Sequence, residues 1–383
     1  MKKVVSFLIL LTGLFFSISV SASEIIAEKN NLGGFVGHLG VTSSNILYVS
    51  VLFNNVMVYD VNIPANPTLI GVISNVGHDR DVFIDINDNV WIAGGLAGAL
   101  TINTDNDTIQ FVAFNALENV NGIWSDGNRV FSANYNDGFG EFDSGSSLWE
   151  HDTWNTWNLI GYDNILVSLG QNPSIGLWDV SNGAPEYRGS LTDDINYVDA
   201  AYHDGLLYVA MRWEGIAIID VNDPTNPHEV LRNNTLNNVM GVKYNDGKLY
   251  VASTDIYVLD ADTLEIIETI PTSGKSEDIC LFNNNKHLAV ANGEGSFAII
   301  ELSNNEGNDE CFTQTDLDAQ YAAGMQYCID HPEECGISSQ SATLNTQTKI
   351  LDIPSVLVGN REFEFNMQQS NQNTFKLINV TSK

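Results

Sequence analysis

Leu207-Tyr208-Val209-Ala210, followed after a short turn by Ile216-Ala217-Ile218-Ile219-Asp220, is the stretch that decides the fold. An apolar run ending in a small residue is joined to a second apolar run ending in an acid. The first run recurs as Leu47-Tyr48-Val49-Ser50, Val90-Trp91-Ile92-Ala93, Val130-Phe131-Ser132-Ala133, Ile165-Leu166-Val167-Ser168, Leu249-Tyr250-Val251-Ala252 and Leu288-Ala289-Val290-Ala291. The second recurs with its closing acid or amide at Asp60, Asn103, Asp143, Asp179, Asp260 and Glu301. With Asp220 included, those residues step by 43, 40, 36, 41, 40 and 41, so the chain repeats about every 40 residues.

Most units hold four short strand-like runs, and none shows helical periodicity. A third run precedes the first, as in Gly241-Val242-Lys243-Tyr244, and a fourth follows the second, as in Glu265-Ile266-Ile267-Glu268. The turns between them, Asp126-Gly127-Asn128, Asp204-Gly205 and Asn245-Asp246-Gly247, suit hairpins that need positive φ. Four strands per repeat predict a propeller blade, and seven copies predict a seven-bladed, all-β propeller over residues 23–307. The seventh unit supplies only three strands. Glu24-Ile25-Ile26-Ala27-Glu28 has no unit of its own and is expected to complete that blade, closing the ring.

Composition fits this plan. Of 383 residues only 17% are charged, yet the formal net charge is −32. Polarity comes instead from 44 Asn and 31 Gly, the residues of hairpin turns. So acidic a chain lacks the Lys and Arg that displace phosphate counterions, which excludes nucleic acid as a partner and disfavours an anionic membrane surface. Lys2 and Lys3, an apolar run from Val4 to Phe16 and the small-x-small pattern Val20-Ser21-Ala22 read as a signal peptide over residues 1–22, cut before Ser23. The expected location is therefore the periplasm, cell surface or extracellular space, with a net charge of −34 after cleavage and no membrane span. A monomer is expected.

The segment Gly215-Ile216-Ala217-Ile218-Ile219-Asp220-Val221-Asn222-Asp223-Pro224-Thr225-Asn226-Pro227 resembles the LVIVD repeat of bacterial β-propeller proteins. Asp60-Val61-Asn62-Ile63-Pro64-Ala65-Asn66-Pro67 has the same ending, and Asp179–Pro185 is a looser copy. The resemblance covers roughly residues 32 to 302. It implies a secreted or surface propeller, and no catalytic residue.

Residues 308–383 read as a small α+β module. Thr313-Gln314-Thr315-Asp316 carries a helix-capping pattern, and Leu317, Tyr321, Gly324, Met325 and Cys328 follow at helical spacing before Pro332. Cys328 and Cys335 flank a Pro-broken turn and are expected to form a local disulfide, which an exported protein permits. Cys311 is a candidate partner for Cys280, which is otherwise simply buried in its strand. No CxxC metal pattern occurs. Strand-like segments follow at Lys349–Val358, Arg361–Met367 and Thr374–Val380. Phe312-Thr313-Gln314-Thr315-Asp316-Leu317-Asp318 with Cys328 and Cys335-Gly336-Ile337 is similar to a C-terminal module of exported marine gammaproteobacterial proteins, which implies envelope display.

The innermost strands of a propeller line its channel. Aligning the repeats brings Leu39, Asp81, Asn121, Asn158, Asp199, Met240 and Asp278 to one position. Asp81, Asp199 and Asp278 are candidate oxygen ligands for Ca²⁺, with Asn121, Asn158 and Trp157 as ligand-binding candidates. The competing reading is that these aspartates, which recur in LVIVD-type repeats, hydrogen-bond backbone within the blade. His38, Arg80, Glu277 and Trp157 are adjacent in their repeats and mark a rim of mixed chemistry. Asp85–Asn89 and Asn103–Asp107 superficially suggest calcium loops but lack the EF-hand pattern and read as hairpin turns. Trp149, Trp154 and Trp157 cluster around His151, either as a sugar-stacking surface or as packing between blades. No HExxH, GxSxG, Walker or Rossmann pattern occurs. The leading expectation is a non-enzymatic exported scaffold or binding protein presenting a rim to a protein or other polymer. The alternatives are a Ca²⁺-dependent hydrolase or lactonase using the acid ring, and a carbohydrate-binding lectin.

Overall fold

The computed structural model describes residues 22–51, 55–74, 76–77, 80–103, 108–113, 119–135, 138–143, 146–151, 155–171, 173–303, 343–345, 350–358, 361–371 and 374–382. The leader before Ala22, the expected helix after Thr313, and Cys311, Cys328 and Cys335 lie outside them.

Strand β1 (Glu24–Lys29) comes first, then one blade per repeat. Blade 1 is β2 (Val36–Val41), β3 (Ile46–Val51), β4 (Asn55–Asp60) and β5 (Thr68–Ser74). Blade 2 is β6 (Asp81–Ile84), β7 (Val90–Ala93), β8 (Ala99–Asn103) and β9 (Thr108–Ala113), and blade 3 is β10 (Val120–Ser125), β11 (Val130–Asn134), β12 (Gly138–Asp143) and β13 (Ser146–His151). Blade 4 is β14 (Asn155–Tyr162), β15 (Ile165–Gln171), β16 (Ile175–Asp179) and β17 (Glu186–Leu191), and blade 5 is β18 (Asp199–His203), β19 (Leu206–Ala210), β20 (Ile216–Asp220) and β21 (His228–Asn233). Blade 6 is β22 (Gly241–Asn245), β23 (Lys248–Ala252), β24 (Ile256–Asp260) and β25 (Ile266–Ile270). Blade 7 is β26 (Ser276–Phe282), β27 (His287–Asn292) and β28 (Ser296–Glu301), completed by β1 against β28.

Each blade is an antiparallel meander. The innermost strands pack in a circle, β2 on β6, β6 on β10 and so on to β26, which returns to β2. The ring is therefore closed. β1 pairs with β28 from Glu24 opposite Glu301 to Lys29 opposite Phe297, so the strand that lacked a blade of its own caps the open edge.

The second strand of each blade is largely apolar and buried because neighbouring blades cover both of its faces. Every residue of β11 and β27 is buried. The core is accordingly a set of clusters at blade boundaries. Leu207, Val209 and Leu177 meet between blades 4 and 5. Tyr208, Ile218, Leu249 and Val251 meet between blades 5 and 6. Val36, Val49, Phe297 and Ile299 meet where blade 7 reaches blade 1. Each such side chain contributes about 1.5–3 kcal/mol when fully buried.

In blades 1, 4, 5 and 6 the acid that closes the third strand makes the turn beyond it. Asp60 accepts from the Asn62 amide at 2.8 Å, Asp179 from Ser181 at 2.9 Å and Asp220 from Asn222 at 2.9 Å. These Asx turns hold the Asp179 and Asp220 carboxyls below the usual range, chiefly through hydrogen bonds to Ser181 and Asn222. Hairpin glycines behave as their turns require, with φ of 80° at Gly205 and 71° at Gly247.

Among the described residues no helix is long and apolar enough to cross a membrane. Residues 305–383 form a second unit. Its described strands are β29 (Thr343–Asn345), β30 (Ile350–Val358), β31 (Arg361–Asn371) and β32 (Thr374–Ser382), paired in that order.

Candidate functional site at the channel mouth

Sequence alignment placed seven residues at one level of the channel, and the structure separates them. Asp81, Asp199 and Asp278 lie in register, opposite Ala93, Ala210 and Ala291. Asn158 keeps that level, since its partner Leu169 pairs with Ile175 as Ala93 pairs with Ala99, whereas a register shift between Val120 and Gly122 puts Gly122 there in place of Asn121. A shift between Val36 and Leu39 moves Leu39 off that level in blade 1. These irregularities follow no composition signal.

The three aspartates share one structural task. Asp81 accepts from the Ile123 amide at 3.2 Å, Asp199 from Val242 at 2.9 Å and Asp278 from Leu39 at 3.1 Å. Each bond runs from the inner strand of one blade to the inner strand of the next. The sequence reading expected such bonds within a blade. They lie between blades because each carboxylate faces a backbone amide of the next inner strand. Asn158 makes a similar link by donating to the Val198 carbonyl at 3.3 Å.

A lysine and a histidine stand among these acids. Lys243 Nζ is 3.1 Å from Asp199 Oδ2. His38 Nδ1 lies 3.7 Å from Asp81 Oδ1 and 3.8 Å from Asp278 Oδ2. Burial pushes Asp81 up to about 6, against the pull of His38. Asp278 is raised for the same first cause, with Lys243 and His38 opposing. Burial lowers Lys243, but Asp199 and Asp278 outweigh it and the ammonium is held charged. Cys280, deeper in the channel, is pushed up to about 11 by burial and is a neutral thiol at neutral pH. Among the described residues no three His, Cys, Asp or Glu side chains are arranged to hold a metal ion. The calcium-like turn at Asp85 is internally satisfied: its carboxylate accepts from the Asn87 and Asn89 amides, Asn89 Nδ2 and Trp91 Nε1, at 2.9–3.0 Å.

Above the aspartates the channel opens into a cavity of about 330 Å³. Phe35, His38, Arg80, Asn121, Trp157 and Arg212 line it, together with Glu277 and Asp81. His38, Arg80, Trp157 and Glu277, read from sequence as a mixed rim, thus come together here, and Asn121 and Asn158 line the same cavity. Sequence reasoning missed Arg212 and Phe35, which lie in connections rather than in repeat-aligned strands. It also missed Lys243, one turn of the pleat below. Of the aromatic cluster only the Trp157 side chain is described, edge-on to Tyr135 with ring centroids 4.6 Å apart. Trp154 and the side chains of Trp149 and His151 lie outside the described residues.

The mouth carries unused hydrogen-bonding capacity. Arg80 Nε, Arg212 Nε, Trp157 Nε1 and both amide atoms of Asn121 are buried with no hydrogen-bond partner among the described residues. Four of these five atoms are donors. Asn121 is only 8% exposed, so its two orphaned atoms carry a desolvation cost of about 1–3 kcal/mol each. Arg212 is also backbone-strained, at φ 55°. Its amide donates to the Val239 carbonyl at 3.0 Å and its carbonyl accepts from Val239 at 2.7 Å. Blade 2 makes the same bridge from Gly95 to Val120, with φ 57° at that glycine. Blade 5 therefore places arginine where blade 2 places glycine, at a cost of about 1–3 kcal/mol. Exposed Trp213 follows, with the Arg212 guanidinium 5.9 Å from its ring centroid.

Fold and site together define a seven-bladed β-propeller with a donor-rich channel mouth. Residues 201–235, the body of blade 5, match the family model of the LVIVD repeat. No curated protein matches the chain.

Proposed function

We propose that this chain is an exported, non-enzymatic binding protein whose channel mouth captures a carboxylate presented by a protein partner. The observation that carries the reading is the surplus of unpartnered donors around Asn121, Arg80, Arg212 and Trp157. A ligand that completes them must bring acceptors. A guanidinium Nε–H and its neighbouring Nη–H form the fork that matches a carboxylate. Phe35 and Trp213, 39% and 58% exposed, offer apolar contact beside it. The strained backbone of Arg212 fits a residue retained for contact rather than for folding. With a net charge of −32, the chain as a whole repels anions, so the favoured partner has a basic surface around one acidic or C-terminal carboxylate.

The test immobilises the full chain, its Arg80→Ala/Arg212→Ala double variant and an unrelated acidic control, each against envelope proteins of the producing bacterium. The reading expects a protein held by the parent, lost at least tenfold in the double variant, and displaced by peptides with a free C-terminal carboxylate or acidic side chain but not by their amides. Equal capture by parent and variant would overturn it. Turnover of lactone or ester substrates that stops on Asp81→Asn would overturn the non-enzymatic part.

A further inference from the structure

We infer that cleavage after Ala22 creates a structural group: the new α-ammonium of Ser23 seats on Glu268 and locks the ring shut. The inference rests on the leader reading of residues 1–22 and is independent of the binding reading of the mouth. Two separate observations meet at one peptide bond. The sequence places the small-x-small pattern Val20-Ser21-Ala22 directly before Ser23. The structure places the Ser23 nitrogen 2.7 Å from Glu268 Oε1, with Ser23 Oγ donating to Glu268 Oε2 at 2.9 Å. Ser303 completes the clamp. Its amide donates to Ser23 Oγ at 2.8 Å, and its hydroxyl donates to Glu268 Oε2 at 3.4 Å.

The geography of these groups gives the clamp its purpose. Glu268 belongs to β25, the outer strand of blade 6, and Ser303 follows β28 of blade 7. Ser23 precedes β1, the outer strand of blade 7, so it ties two neighbouring outer strands at the point where the ring is closed. Ala22 is exposed, so the bond to be cut is open to a peptidase. Hydrolysis of the Ala22–Ser23 bond consumes one water. Its hydroxyl goes to the Ala22 carbonyl carbon, leaving a carboxylate on the released leader, and Ser23 leaves as an amine that takes a proton at neutral pH. One neutral N–H donor thereby becomes a cation with three donors, facing a carboxylate that already accepts on both oxygens. The corner needs that charge. Glu24 and Glu301 are directly paired across β1 and β28, and the Lys248 ammonium that acts on Glu268 is shared with Asp246.

The experiment has three arms. The full chain is expressed with its leader in an exporting bacterium, and its mature N-terminus is read by intact mass and sequencing; Ser23 is expected. Chains beginning at Ser23 or, N-acetylated, at Ser21 are then melted, each as the parent and as the Glu268→Gln variant. The Ser23 form should melt about 2–4 °C above the extended form, and the glutamine variant should erase that gap. Acylation of the α-amine near pH 7.5 should be roughly five- to tenfold slower in the parent than in the Glu268→Gln variant, as expected if pairing raises an amine of ordinary pKa about 7.8 by about one unit. A mature terminus elsewhere, a melting gap that survives Glu268→Gln, or equal acylation rates would each overturn the inference.

Discussion

Replacing Asp81 with Asn should stabilise the propeller at pH 8 and leave it unchanged near pH 4. Asp81 is buried among acids, and its folded value of about 6 stands well above the 3.8 of a free side chain. The folded state therefore holds a proton more tightly than the unfolded chain between pH 4 and pH 6. Stability falls as pH rises through that window and then levels off above it. The gap of about two units corresponds to about 3 kcal/mol at pH 8, net of the attraction of His38 3.7 Å away. Asparagine removes the charge but keeps an oxygen to accept from the Ile123 amide, so the link to blade 3 survives. Thermal and urea unfolding of both chains from pH 4 to pH 8 would measure the effect, expected at pH 8 as about 5 °C in Tm. The reasoning fails if the variant is less stable at pH 8. It also fails if the difference does not shrink as pH falls. A parent chain stabilised by millimolar calcium, with the gain lost in Asp81→Asn, would instead restore the acid ring as a cation site.

Other substitutions test other parts of the ring. Lys243→Met should cost about 1–3 kcal/mol in urea unfolding by leaving the Asp199 carboxylate with only the Val242 amide, and adding Asp199→Asn should recover much of that loss. Leu249→Ala, at a fully buried position between blades 5 and 6, should cost about 2–5 kcal/mol by the same measurement. Deleting residues 23–29 should expose the edge of β28 and shift the chain to larger oligomers on size-exclusion chromatography than a chain truncated only to Ser23 forms.

The fold was legible because the repeat is enforced twice. A second strand sandwiched between blades carries an apolar run, as Leu249–Ala252 does, and the third strands of blades 1, 4, 5 and 6 end in the acid of an Asx turn, as Asp220 does. Both features leave their mark in the sequence at the spacing of the repeat. The channel mouth was legible only in part. His38, Arg80, Trp157 and Glu277 could be named because they sit beside an aligned position in their repeats. Arg212 could not, since it lies in the connection after β19 and reaches the mouth only because blade 5 bends the chain there at positive φ. The partners of the aspartates were hidden for a different reason. Asp278 bonds to Leu39, 239 residues earlier in the chain, a neighbour that exists only once the circle has closed.

Strand β1 has a consequence in time. Of the propeller's strands it is synthesised first, yet its partner β28 is synthesised last. At about 5–20 residues per second, some 270 residues of chain separate the two by roughly 15–50 s. Throughout that interval the strand must stay soluble without a mate. Its sequence is suited to waiting: Glu24, Glu28 and Lys29 punctuate it, and none of its residues is fully buried even when docked. The price of a circular architecture thus falls on one short charged segment, the propeller's first strand to emerge and the one whose partner comes last.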